Sequence, residues 1–295
     1  MRRLPFVQLD VFTRTPLQGN QLAVFTDARG LSDDEMQRIA KEANLSESTF
    51  IFPRDAETER REGVRVRIFT TEEELPFAGH PTLGTATVVR NYMGGAESVN
   101  LHLNVGKIPV TFRDESDGPA FGEMRQNDPQ FAETHSARDI AEIARIAPDA
   151  IRSDLPIQTV TTGNPFVIVP VKSIRAIEQI ELNHPAARAY IEKTTAHFIY
   201  FLTTETSSPE TQIHARMIFY NGEDPATGSA AGPAIAYLVQ NGVIASEQRV
   251  IIEQGLEMDR PSHLYVRAKK ENGRITDVHV GGYSVEIARG EYRLP

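Results

Sequence analysis

Four polar side chains stand where a buried-looking apolar segment begins or a strand is entered: Glu47 in NLSESTF (44–50), His80 in AGHPT (78–82), and Asp224 and Ser229 in EDPATGSAA (223–231). Asn44 and Glu47 have the spacing of a capping box, but the residues that follow, Ser48-Thr49-Phe50-Ile51-Phe52, form a strand pattern rather than a helix. Asn44 therefore closes the preceding helix, and Glu47 falls on a short connection entering a strand, where a solvated loop acid is the plain alternative to a functional one. His80 lies at the mouth of an apolar helix. There, free N–H groups and partial positive charge favour an anion, and Gly79 lets a ligand approach the backbone. A histidine that merely fills a tight Gly-His-Pro turn explains the same residues. Asp224 precedes Pro225, so an ordinary Asp-Pro turn accounts for it equally well, while Ser229 takes the place in its segment that His80 has in the first. If the two mouths open on one cleft, these side chains and the backbone of Gly79 and Gly228 make an anion pocket with an acid/base pair. Proton transfer at carbon suits that set, because a desolvated carboxyl beside another carboxylate can take and return a proton near neutrality.

The elements that must position these groups read as a repeat. GNQLAVF (19–25) returns as GNPFVIV (163–169), an offset of 144 from Gly19 to Gly163. Pro76 to His80 returns as Pro225 to Ser229, an offset of 149 from Gly79 to Gly228. Two ordered matches at similar offsets favour duplication. Segments 82–93 and 230–240 are small or apolar nearly all round, which predicts an enclosed helix through the middle of each half. Gly94-Gly95 and Gly242 are the expected C-terminal caps, and Pro233 is expected in the first helical turn. Alternating segments at 6–12, 50–53, 64–69, 100–105, 108–112, 158–160, 197–202, 250–253, 264–268 and 276–281 predict strands wrapped around those helices. Outer helices are predicted at 32–43, with Ser32 and Glu35 as a capping box and Leu31 stapled to Met36, and at 136–146. The punctuated stretch 113–130 reads as the crossover between halves. The expected fold class is α+β: two pseudo-symmetric domains, each a β-barrel-like sheet around a central buried helix. The first domain spans 1–118, joined by the strand 284–295, and the second spans 119–283.

Composition narrows the chemistry. The 295 residues contain no cysteine, which removes disulfides, thiolate metal sites and every thiol mechanism, and no two of the eight histidines form HxH or HxxxH. No metal site and no cofactor is assigned, since no GxGxxG follows a strand. Forty acidic against 31 basic residues, a net charge of −9 and scattered Lys and Arg argue against a nucleic-acid partner. No stretch is apolar enough for a membrane span, and MRRLP runs directly into a strand pattern without a signal-peptide core, so a soluble, cytoplasmic protein is expected.

The blocks PLQGNQLAVF (16–25), ANLSESTFIF (43–52), RIFTTEEELPFAGHPTLGTA (67–86), EDPATGSAAGP (223–233), QGLEMDRPSHLYV (254–266) and VGGYSVEIARGEY (280–292) resemble the PhzF-like phenazine-biosynthesis family, within the wider diaminopimelate-epimerase fold. The resemblance runs along nearly the whole chain. It implies two domains of the kind described and a homodimer. It also implies cofactor-free isomerisation of a small carboxylate such as trans-2,3-dihydro-3-hydroxyanthranilate, with Glu47 shuttling the proton. His80, Asp224 and Ser229 would complete the polar site, and Gly79, Gly228 and Ser229 would hold the substrate carboxylate. Cysteine-pair epimerases of this fold carry thiols where this chain has His80 and Ser229, which excludes their activity. Tyr220-Asn221-Gly222 is shorter than the loop usual in phenazine-producing members, which bears on the ring substrate. The competing readings are an isomerase or epimerase of the same mechanism acting on another small carboxylic acid, and a non-catalytic carboxylate binder.

Overall fold

A run of strands around one enclosed helix occurs twice. A computed structural model describes residues 2–94, 97–219 and 222–294, and the chain divides into unit 1, Met1–Arg125 with Gly281–Pro295, and unit 2, Gln126–Val280. Unit 1 runs β1 (Arg2–Val11), β2 (Asn20–Phe25), α1 (Asp33–Ala43), β3 (Glu47–Phe52), α2 (Ala56–Glu62), β4 (Val64–Phe69), β5 (Glu74–Leu75), α3 (Gly79–Tyr92), β6 (Ser98–Leu103), β7 (Gly106–Arg113) and β8 (Phe121–Arg125). Unit 2 follows with β9 (Gln130–Thr134), α4 (Ala137–Ala144), β10 (Gln158–Thr161), β11 (Pro165–Pro170), α5 (Ile174–Glu178), α6 (His184–Ile191), β12 (Phe198–Thr203), β13 (Ile213–Phe219), β14 (Gly222–Asp224), α7 (Gly228–Gln240), β15 (Val250–Gln254), β16 (Ser262–Glu271) and β17 (Arg274–Gly282). The last strand, β18 (Ser284–Leu294), pairs antiparallel with β1 along its whole length.

Strand pairing repeats with the elements. The parallel pair β2–β3, joined through α1, matches the parallel pair β11–β12, joined through α5 and α6. The antiparallel pairs β3–β4 and β4–β5 match β12–β13 and β13–β14. The parallel pair β4–β6 matches β13–β15, and each is completed by an antiparallel neighbour, β7 or β16. This is the duplication that the two glycine motifs announced.

Each sheet is covered on both faces, which is why its central strands are apolar almost without interruption. In unit 1 the inner face packs on α3, buried all round from Gly79 to Val89. Gly84 lets it come close, since a Cβ there would lie 2.6 Å from Leu22 Cδ2 and 2.8 Å from Val11 Cγ2. The outer face carries Phe25, Phe50 and Phe69 under Met36, Ile39 and Ala40 of α1, with Leu31 packed alongside as the expected staple. Ser32 and Glu35 form the reciprocal capping box that starts α1, and left-handed Asn44 (φ 52°) ends it. In unit 2, α7 is the enclosed helix, and Ile140, Ile143, Ile177 and Ala187 of the outer helices cover Val167, Val169, Ile199 and Phe201.

Three local expectations need correction. The helix α7 begins at Gly228 rather than 230, so Pro233 lies inside it and withholds the N–H that would bond the Ser229 carbonyl. Glu47 is the first residue of β3, opposite Leu22, rather than part of a connection. The stretch 113–130 contains a strand, β8, paired with β7. Gly94 and Gly242 take the left-handed backbone expected of them (φ 79° and 72°), directly after Met93 and Asn241 at the ends of α3 and α7, and Gly95 lies outside the described residues. Among the described residues no helix is long and apolar enough to cross a membrane.

Candidate active site

In unit 1 the parallel strands β2 and β3 bring their first residues to the mouth of α3. Asn20 opens β2, Glu47 opens β3, and His80 is the second residue of the helix. His80 is 3% exposed, its Nδ1 lies 3.1 Å from the Asn20 amide nitrogen, and its Nε2 has no hydrogen-bond partner. Burial pushes the ring down to about 3, only partly opposed by a hydrogen bond with the Gln21 backbone, so the imidazole is neutral at physiological pH. The Glu47 carboxylate reaches within 3.6 Å of that Nε2. With a neutral ring this is no ion pair, and the separation is too long for a hydrogen bond. The helix start has no side-chain cap. Because Pro81 has no N–H and the Thr82 N–H bonds the Ala78 carbonyl, the donors left at this mouth are those of Gly79 and His80.

In unit 2 the corresponding mouth is cross-tied. Asp224 ends β14 and is 9% exposed, and its Oδ2 accepts the Thr227 hydroxyl at 2.6 Å. Gln254, at the end of β15, donates to the Asp224 carbonyl (2.7 Å) and to Thr227 Oγ1 (2.9 Å). Its own oxygen accepts from the Thr227 N–H (3.2 Å) and the Tyr200 hydroxyl (3.0 Å). From the far side of the mouth, Gln126 donates to the Gly228 carbonyl at 2.9 Å and accepts from Thr162. Ser229 is the second helical residue, part-exposed, and the Ala230 and Ala231 N–H groups bond the Thr227 carbonyl. The turn explanation for Asp224 thus accounts for its bond with Thr227.

Of the residues marked in the sequence, Glu47, Gly79 and His80 come together in unit 1, and Asp224, Gly228 and Ser229 lie on one turn of unit 2. Sequence reasoning missed Asn20, Thr227, Gln254 and Tyr200. Asn20 was visible only as half of a Gly-Asn turn, and the glutamine and tyrosine stand on ordinary strand patterns whose direction depends on pairing. Tyr220 and Asn221 of the short loop lie outside the described residues. Among the described residues no three His, Asp or Glu side chains are grouped to hold a metal ion.

The chain matches the phenazine biosynthesis-like protein family over residues 9–290. It is 34% identical to an uncharacterized isomerase of Mesorhizobium japonicum, over 99% of each chain. To trans-2,3-dihydro-3-hydroxyanthranilate isomerase of Pseudomonas aeruginosa it is 33% identical, over 98% of this chain and 99% of that one. The crystal structure of a Bacillus anthracis phenazine biosynthesis protein of the PhzF family superposes with a TM-score of 0.89 over all of both chains, at 27% identity. With two units each built as a sheet around a buried helix, and with these matches spanning its length, the chain belongs to the PhzF-like phenazine-biosynthesis family and is an isomerase.

Proposed function

We propose that this isomerase moves a proton between carbons of a small, cyclic carboxylic or amino acid, with Glu47 as the group that takes the proton and gives it back. The observation that carries the reading is the pairing at the mouth of α3: a carboxylate 3.6 Å from the unpartnered Nε2 of a buried, neutral histidine. A buried ring nitrogen without a partner is costly unless something else meets it. A substrate polar group bound beside Glu47 would do so, and His80 would then orient that group without competing for the proton.

The rest of the proposal follows from charge. A substrate carboxylate would accept from the N–H groups of Gly79 and His80, the donors that the start of α3 leaves unused, and the start of α7 offers Gly228 and Ser229 in the same positions of its own unit. Asp224, at the mouth of α7, is proposed as a further acid/base carboxyl. In the reaction one C–H bond breaks, another forms and a double bond shifts, with no net oxidation. Acid/base groups of the chain are then sufficient, and no metal or organic cofactor is invoked. The likeness to the Pseudomonas aeruginosa enzyme favours a ring substrate of the kind named for it.

The test is exchange in D2O. Purified protein, exhaustively treated with chelator, is mixed with trans-2,3-dihydro-3-hydroxyanthranilate and with a panel of cyclic amino and hydroxy acids, and NMR reads deuterium at carbon. Incorporation that survives chelation is expected. Binding of a panel member without any exchange would make the protein a carboxylate binder, and exchange lost on chelation and restored by one metal would overturn the cofactor-free mechanism.

A further inference from the structure

On the outer face of the unit 2 sheet, away from α7, lies a group of charged side chains that the proposed chemistry does not use. Strand alternation puts His214 and Arg216 of β13 on that face. Glu223, which pairs opposite Ile218, joins them there, while Asp224, opposite Met217, points to the inner face. The Arg216 guanidinium grips Glu223 through two parallel bonds, Nε to Oε1 and Nη2 to Oε2, each 2.8 Å. Its remaining nitrogen donates to the Ile177 and Glu178 carbonyls at the end of α5 (2.9 and 3.2 Å). The guanidinium is thus held from a direction independent of the strand it grips. Behind it His214 bonds Glu257 (2.9 Å) and Glu253 (3.0 Å). Glu253 is the outward neighbour of the inward Gln254, as Glu223 is of Asp224.

The repeat shows that the fork is a device rather than an accident of one strand. The 149-residue step from Gly79 to Gly228 also carries Arg67 to Arg216 and Glu74 to Glu223. In unit 1 Arg67 grips Glu74 in the same way, Nε to Oε1 at 2.7 Å and Nη2 to Oε2 at 2.5 Å. Both forks clamp the two- or three-residue strand that precedes the buried helix, an element too short to hold its own direction by ladder bonds. What differs is the next residue inward: Leu75 in unit 1, Asp224 in unit 2.

We infer that the Arg216–Glu223 fork is a positioning pair that aims Asp224 at the helix mouth, with His214, Glu253 and Glu257 bracing it and Gln254. The inference rests on the reading of Asp224 as part of the site, and it predicts a local effect. In the ligand-free protein, Glu223→Gln and Arg216→Lys should speed amide hydrogen exchange at Thr227, Ala230 and Ala231 by about tenfold or more, with Val167 and Ile199 of the same unit changing less than about twofold. Glu74→Gln should leave those three amides alone. With trans-2,3-dihydro-3-hydroxyanthranilate as probe, kcat should fall about tenfold or more while KM stays within about threefold, the pattern of misaimed rather than missing groups. Unchanged exchange at the three amides, or a uniform rise across unit 2 in both variants, would overturn the inference. Local exchange without loss of kcat would leave the fork as the clamp on Asp224 and instead remove Asp224 from the proposed reaction.

Discussion

Two buried histidines, one per unit, are treated in opposite ways. His80 is left neutral, with one ring nitrogen unpartnered beside Glu47. His214 is 1% exposed and has a carboxylate on each nitrogen. Burial alone pushes that ring down too, but its bonds and charge contact with Glu257 and then Glu253 outweigh burial and hold it above the usual histidine value, while both glutamates are held below theirs. The difference separates a group kept ready for something absent from the fold from a group consumed by the fold. A partnered charge is stability, and an unpartnered nitrogen in a buried mouth is unused capacity.

Removing each ring tests that contrast. His214→Leu strips the positive centre from the buried Glu253 and the part-buried Glu257 and should cost about 3–5 kcal/mol in urea unfolding. His80→Leu removes a nitrogen that bonds nothing and should cost only about 1 kcal/mol, chiefly the lost Asn20 contact. Equal costs would erase the distinction. The pH dependence should differ in sign as well. His80 is depressed from 6.5 to about 3, so its contribution is complete above about pH 6.5 and declines as pH falls from there toward 3. His214 is raised, so its contribution is complete below the unfolded value near 6.5 and is lost as pH rises through its folded value. Urea midpoints across pH should show His80→Leu flattening the acid limb and His214→Leu the alkaline limb. The cross-tied mouth falls between the two histidines: Thr227→Val, which removes a hydroxyl shared by Asp224 and Gln254, should cost about 1–2 kcal/mol.

Much of this was legible in the sequence because it is written in local pattern. The capping box at Ser32, the closing turn at Asn44, the enclosed helices and the duplication all depend on residues close together in the chain, or on a motif repeated whole. Glu47 could be marked as a candidate because a carboxylate entering a strand has no evident structural duty, and His80 because it stands at the mouth of an apolar helix, although a tight Gly-His-Pro turn accounts for it as well. The missing parts are relations across strands. Nothing near Asn20 reveals that β2 and β3 run parallel and so place their first residues at one mouth. Gln254 reads as any strand glutamine until β15 lies beside β13. The start of α7 was misjudged because the apolar run begins at Ala230, which put Pro233 in the first turn, whereas the helix starts at Gly228, runs intact through the proline and leaves the Ser229 carbonyl without its usual donor.

The most direct measurement of the central claim is carbon-bound deuterium incorporation by Glu47→Gln in D2O, set beside ligand binding by the same variant. The account predicts a folded protein that binds the probe acid with affinity close to that of the unaltered chain but exchanges protons about 10²–10⁴-fold more slowly, the usual contribution of a positioned acid/base. Exchange within a few-fold of the unaltered protein would contradict it and move the proton to another group.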